Sequence, residues 1–141
     1  DRPYDLTQLT IAIMDAARSL PKSFRVLIDS TTPRFNMRDP SSVVTFLHEI
    51  GARIKAYDGV LYFTAVTEGI PKDVVKRLEE VSDCVIETRM KEEKGNWTRW
   101  LRVKKMTGRR FLERPIKFEI VPEKGFIFYT EKKFIKNPSA F

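Results

Sequence analysis

The chain has 141 residues, 42% of them hydrophobic and 32% charged, which fits one domain with its own core and excludes a disordered chain. No apolar run approaches the roughly 20 residues a bilayer-spanning helix needs, and the opening DRPYDLTQ lacks the apolar stretch of a signal peptide. The net charge of +7 is concentrated: residues 89–117 hold eleven Lys or Arg against three acids, and the rest of the chain sums to −1.

A single cysteine, Cys84, cannot form an internal disulfide, so a reducing, cytoplasmic setting is expected. The many Lys, Arg and Glu residues with few Gln resemble a thermophile composition. The first residue is Asp1 and not methionine, as expected of part of a longer gene product.

The first predicted element is a helix. Asp5 is placed to cap it, with Gln8 three residues on as in a capping box. Leu6, Leu9, Ile13, Ala16, Ala17 and Leu20 fall on one face, and Pro21 ends it. Residues 24–29, FRVLID, then read as a strand buried on both faces, as in a parallel sheet, with an acid at its end. The stretch TTPRFNMRDP is expected as a loop.

Asp39 and Pro40 open a second helix, with Val43, Leu47, Ile50, Ile54 and Tyr57 inward. Asp58-Gly59 turns the chain into a second buried strand at residues 60–65. Pro71 opens a third helix lined by Val74, Val75, Leu78 and Val81, and residues 84–86 are expected as a third short strand. Strand and helix in alternation predict right-handed crossovers and a parallel sheet. The pattern then changes. Residues 97–104 alternate, with Leu101 and Val103 on one side and Trp100, Arg102 and Lys104 on the other. Residues 116–120 and 126–129 read as a hairpin through Val121-Pro122-Glu123-Lys124-Gly125. The expectation is one α/β domain over residues 1–141, parallel strands first and antiparallel strands after.

The sharpest candidate for chemistry is Asp29. A buried strand ending in aspartate sets a carboxylate at the carboxyl edge of the sheet, where ligands bind in open α/β folds. In nucleotide hydrolases such an acid orients magnesium. The plainer alternative is that Asp29 starts a turn and caps the loop at Thr31 or Thr32.

On DLTQLTIAIMDAARSL, RVLIDS, SSVVTFLHEIGARIKA, VLYFTA, IPKDVVKRLEEVSDCVIE, LRVKKM and PIKFEIVPEKGFIFY, in that order, the chain resembles the C-terminal two-thirds of a RecA-superfamily ATPase domain, in the KaiC-like branch found widely in archaea. The resemblance covers about residues 5–130 and implies a RecA-like three-layer α/β sandwich. It also implies roles for three positions. Asp29 falls on the Walker B acid, with magnesium as its ion. Thr64 falls on the polar sensor near the γ-phosphate. Lys105 falls on the first residue of a Lys-x-Arg finger that reaches a neighbour's nucleotide. The match fails two residues on, because Thr107 stands where arginine is expected, and Arg109 and Arg110 are out of register. Threonine cannot supply the charge of an arginine finger.

The larger departure is that no G-x-x-x-x-G-K-[ST] motif occurs. Without that loop there is no backbone nest and no lysine for the phosphates, so ATP with magnesium requires a loop supplied from elsewhere. In this superfamily the loop-bearing strand lies between the strands that correspond to residues 60–65 and 84–86. Its lack predicts a vacant place in mid-sheet, filled by an upstream segment, filled by another chain, or closed by direct pairing of the two strands. The expected role is an interaction or regulatory module with a protein partner or a second copy, and no membrane. Hydrolysis by this chain alone is not expected; the alternative is the C-terminal part of an ATP-binding protein with its loop upstream.

A competing class is nucleic-acid binding through Trp97, Trp100, Arg102, Lys104, Arg109 and Arg110, because bases stack on rings while cations hold phosphates. Against it, solvent-facing strand residues are ordinarily charged, and a tryptophan at a sheet edge covers apolar neighbours. His48, the only histidine, lies off its helix stripe and has no partner ligands for zinc. Cys84 is expected to be buried as a small hydrophobe. Glu68 and Glu87 follow predicted strand ends, and the tail FIKNPSAF is apolar enough to dock on the domain or on a neighbour.

Overall fold

A computed structural model describes residues 5–37, 39–93 and 95–129. The tail FIKNPSAF lies outside the described residues. The chain divides into two compact units, Asp1–Ser82 and Asp83–Phe141.

In the first unit, helix α1 spans Leu6–Ser19, and Asp5 caps it by accepting hydrogen bonds from the backbone N–H of Thr7 at 2.9 Å and of Gln8 at 3.3 Å. Strand β1 is Arg25–Ile28. A short helix, α2, follows at Thr32–Met37, where the sequence predicts a loop. Its six residues are too few to display a helical period; Pro33 in its first turn and the buried Phe35 are its only marks. Helix α3 spans Pro40–Ala56, with Asp39 accepting from the Ser42 N–H at 2.9 Å.

The predicted stripe of α3 forms the centre of the core. Val43, Leu47, Ile50 and Ile54 are buried there with Met14, Ala17, Phe24, Val74 and Leu78. Tyr57, assigned to the same stripe, is exposed because it lies past the last helical turn. Strand β2 is Val60–Phe63, and α4 is Lys72–Val81. Gly59 allows the turn into β2 to press on the core, since a Cβ there would stand 2.6 Å from the Phe24 ring.

Strands β1 and β2 pair in parallel from Arg25↔Val60 to Ile28↔Phe63. They are not buried on both faces as their sequences suggest. Val26, Ile28, Leu61 and Phe63 pack against the core, while Leu27 is 68% and Tyr62 50% exposed. Alternation around a single covered face explains the difference: α1, α3 and α4 together bury one side of a two-stranded sheet.

The second unit is an antiparallel sheet in the order β3-β4-β5-β6, with β3 at Cys84–Glu93, β4 at Asn96–Met106, β5 at Ile116–Val121 and β6 at Gly125–Tyr129. β3 is longer than the predicted residues 84–86 and is not a third parallel strand. It pairs antiparallel with β4 from Cys84↔Met106 to Glu93↔Asn96, with a bulge between Val85 and Ile86. Ladder pairing overrides the low strand preference of its charged half. The predicted β5–β6 hairpin is present, with Val121 opposite Gly125 and positive φ at Glu123 and Gly125. Among the described residues, β1 and β2 form one two-stranded sheet and β3 to β6 a second, four-stranded one.

Candidate functional site

Asp29 and Thr64 are the residues that immediately follow β1 and β2, at the carboxyl ends of a parallel pair. The Thr64 hydroxyl donates to Asp29 Oδ1 at 2.5 Å, a short bond of the kind a carboxylate acceptor strengthens. The ladder runs on past the strands: the Thr64 N–H donates to the Ile28 carbonyl at 3.1 Å, and the Thr31 N–H to the Thr64 carbonyl at 2.9 Å.

Three further hydroxyls complete this corner. Thr31, fully buried, donates its hydroxyl to the Thr64 carbonyl at 2.8 Å. Ser30 accepts from the Thr32 N–H at 3.1 Å and donates to the Thr32 hydroxyl at 2.9 Å. Thr32 in turn accepts from the Val66 N–H at 2.8 Å. The loop is therefore capped by Ser30, and the carboxylate of Asp29 is engaged across the sheet by Thr64. The run Ser30-Thr31-Thr32 was the signal for this clasp, because short hydroxyls after a strand bond local backbone. The Asp29–Ser30 peptide is cis.

The corner offers one exposed carboxylate and one exposed hydroxyl at the sheet edge. Magnesium at such an edge takes one or two carboxylates and completes its octahedron with waters and substrate phosphates. Among the described residues no group of three or more His, Cys, Asp or Glu converges on a common point. With no phosphate loop in the sequence, these residues do not by themselves fit ATP with magnesium.

Lys105 lies in the second unit, on β4 opposite Val85. Thr107 lies just past β4, and its N–H donates to the Asp83 carbonyl at 2.8 Å. The basic-aromatic set is divided by strand parity. Trp100 and Arg102 share one face of the sheet, while Trp97, three residues from Trp100, lies on the opposite face. Arg102 is held by Glu87 at 2.7 Å, and Glu87 also takes Arg89 at 2.6 Å. Lys104 is the extra residue at the bulge, and Arg109 and Arg110 are exposed beyond the strand. The indole N–H of Trp100 is buried without a hydrogen-bond partner.

Glu87 is not a strand-end acid but sits within β3, and Glu68 is in a short 3-10 turn, Thr67–Gly69. Burial is the largest single influence on the Glu87 carboxyl and raises its pKa. The hydrogen bonds and charges of Arg89 and Arg102 together outweigh it and hold the group below its ordinary value. His48 is exposed, as predicted. Cys84 is exposed rather than buried, because it begins an edge strand. No helix among the described residues is long and apolar enough to cross a membrane.

The fold is RecA-like. The structure superposes on a KaiC-like protein from the hyperthermophilic archaeon Pyrococcus horikoshii OT3 with a TM-score of 0.71, at 18% identity, over 90% of this chain. The match takes in 58% of that protein, so the chain spans less than two thirds of its neighbour's length. No curated protein sequence matches. A sequence family recorded as "Family of unknown function (DUF7504)" matches residues 1–88, more than half of the chain, and to that family the chain belongs.

Proposed function

We propose that this chain is a degenerate RecA/KaiC-like, ATPase-type domain that works as an interaction or regulatory module without a phosphate-binding loop of its own. One observation carries the reading. Leu27, Val60 and Tyr62 stand exposed on a parallel pair, where apolar side chains are ordinarily covered on both faces. A sheet with a bare apolar face is suited to receive another segment or chain.

Nucleotide-dependent stabilisation tests the reading. A site of micromolar Kd exposed to about 1 mM Mg-ATP would add roughly 4 kcal/mol to stability. The expected result is an unmoved Tm and no phosphate release above blank. A rise of several degrees that disappears in Asp29→Ala would overturn the reading.

The second reading is the C-terminal part of an active ATP-binding protein whose loop lies upstream. The Thr64–Asp29 bond at the carboxyl edge supports it, because the resemblance gives these two residues the roles of Walker B acid and sensor. The reading frame upstream of Asp1 decides between the two: a G-x-x-x-x-G-K-[ST] motif there supports the second, and its lack the first.

A further inference from the structure

Strand parity sorts the β3–β6 sheet by chemistry. On one face a single row reads Arg89, Trp100, Lys117, Tyr129, with Glu87 and Arg102 in the row beside it. On the other face the matching row reads Met90, Arg99, Phe118, Phe128. Ile86, Met90, Trp97, Ile120, Phe126 and Phe128 all belong to that second face, and all are exposed, Trp97 at 66%. The Phe118, Phe126 and Phe128 rings cluster with centroids 5.3 to 6.2 Å apart, so the patch is continuous across β5 and β6.

We propose that this apolar face is the surface through which two copies of the chain associate. The proposal rests on the reading of the chain as an interaction module and adds to Leu27, Val60 and Tyr62 a second apolar surface with its own partner.

Two features favour a second copy. The first is area. Six large side chains exposed at about half or more of their surface amount to on the order of 600 Å², near the roughly 800 Å² per partner of a stable interface. The second is charge. The chain carries a net +7, which opposes self-association unless the charges are kept off the contact. The sheet does this: Arg89, Lys91, Arg102 and Lys117 lie on the opposite face, and the described charges on the apolar face are Glu92 and Arg99, of opposite sign. Two such sheets pack face to face as an aligned sandwich.

Sedimentation equilibrium of the full chain tests this. Over about 1–100 μM the mass is expected to rise from 16.5 kDa toward twice that value. Met90→Lys and Phe128→Lys, each on the apolar face, are expected to weaken the dimer about 30-fold or more, with far-UV circular dichroism unchanged. Lys117→Glu and Tyr129→Lys, on the opposite face, are expected to leave it intact. A wild-type monomer throughout the range overturns the proposal, as does a dimer that survives both apolar-face variants. A monomer that also fails to bind Mg-ATP removes the dimer and leaves the interaction module with a different partner. Asp29-dependent nucleotide binding removes the module reading whatever the mass.

Discussion

The two units solve the same problem unequally. In the first, α1, α3 and α4 cover one side of the β1–β2 pair, and all the described buried hydrophobic side chains but one belong to it. In the second, four strands satisfy one another's backbone in a continuous ladder, yet Phe118 is the only buried hydrophobic side chain described. Helices supply burial from within the unit; a single sheet does not, since it buries a face only against another layer. The stability of the first unit is therefore expected to reside in its own core. The second, with one buried hydrophobic side chain described, is expected to draw less stability from a core of its own.

Substitutions can break or sharpen that contrast. The largest effect is expected for Ile54→Ala, at a site with no exposed surface: about 3 kcal/mol lost in urea denaturation. Phe118→Ala removes a larger side chain but leaves a site that Phe126 and Phe128 can close over, and is expected to cost less than Ile54→Ala. Equal losses at the two positions would erase the distinction. Thr31→Val removes a buried hydroxyl donor to the Thr64 carbonyl, which keeps the Thr31 N–H as a partner, so about 1 kcal/mol is expected.

Glu87 gives a smaller, pH-dependent effect. Its folded-state pKa lies below the ordinary 4.5, so its ion pairs contribute fully above that pH and are lost as pH falls through the folded value. Glu87→Gln is expected to cost under about 1 kcal/mol at neutral pH, with the difference from wild type vanishing in acid titrations of stability. The smallest effect belongs to Asp29→Ala, about 0.5 kcal/mol in the same denaturation experiment, because the carboxylate is exposed and its partner Thr64 can bond water.

The parts of this structure legible in the sequence are those with a repeating signal. The stripe Val43, Leu47, Ile50, Ile54 announced both α3 and the core, and Asp5 and Asp39 announced the caps. Asp29 stands out as the acid that ends a strand and Thr64 through the resemblance alone, while their contact follows from the parallel register of β1 and β2. What escaped was set by tertiary context. α2 is too short to show a period. The outer half of β3 is charged and becomes a strand only because β4 pairs with it. Leu27 and Tyr62 look like core residues, and nothing local says that their face is bare. Trp97 and Trp100 belong to one basic-aromatic segment of the sequence, but a separation of three residues puts them on opposite faces of a strand.

The proposed function makes the Asp29–Thr64 corner a structural clasp and not a self-sufficient nucleotide site. Isothermal titration of Mg-ATP into the chain tests it most directly. The expected trace shows only heats of dilution, the same for wild type and Asp29→Ala. Stoichiometric binding with a micromolar Kd, abolished by Asp29→Ala in a variant that keeps its fold, would contradict it.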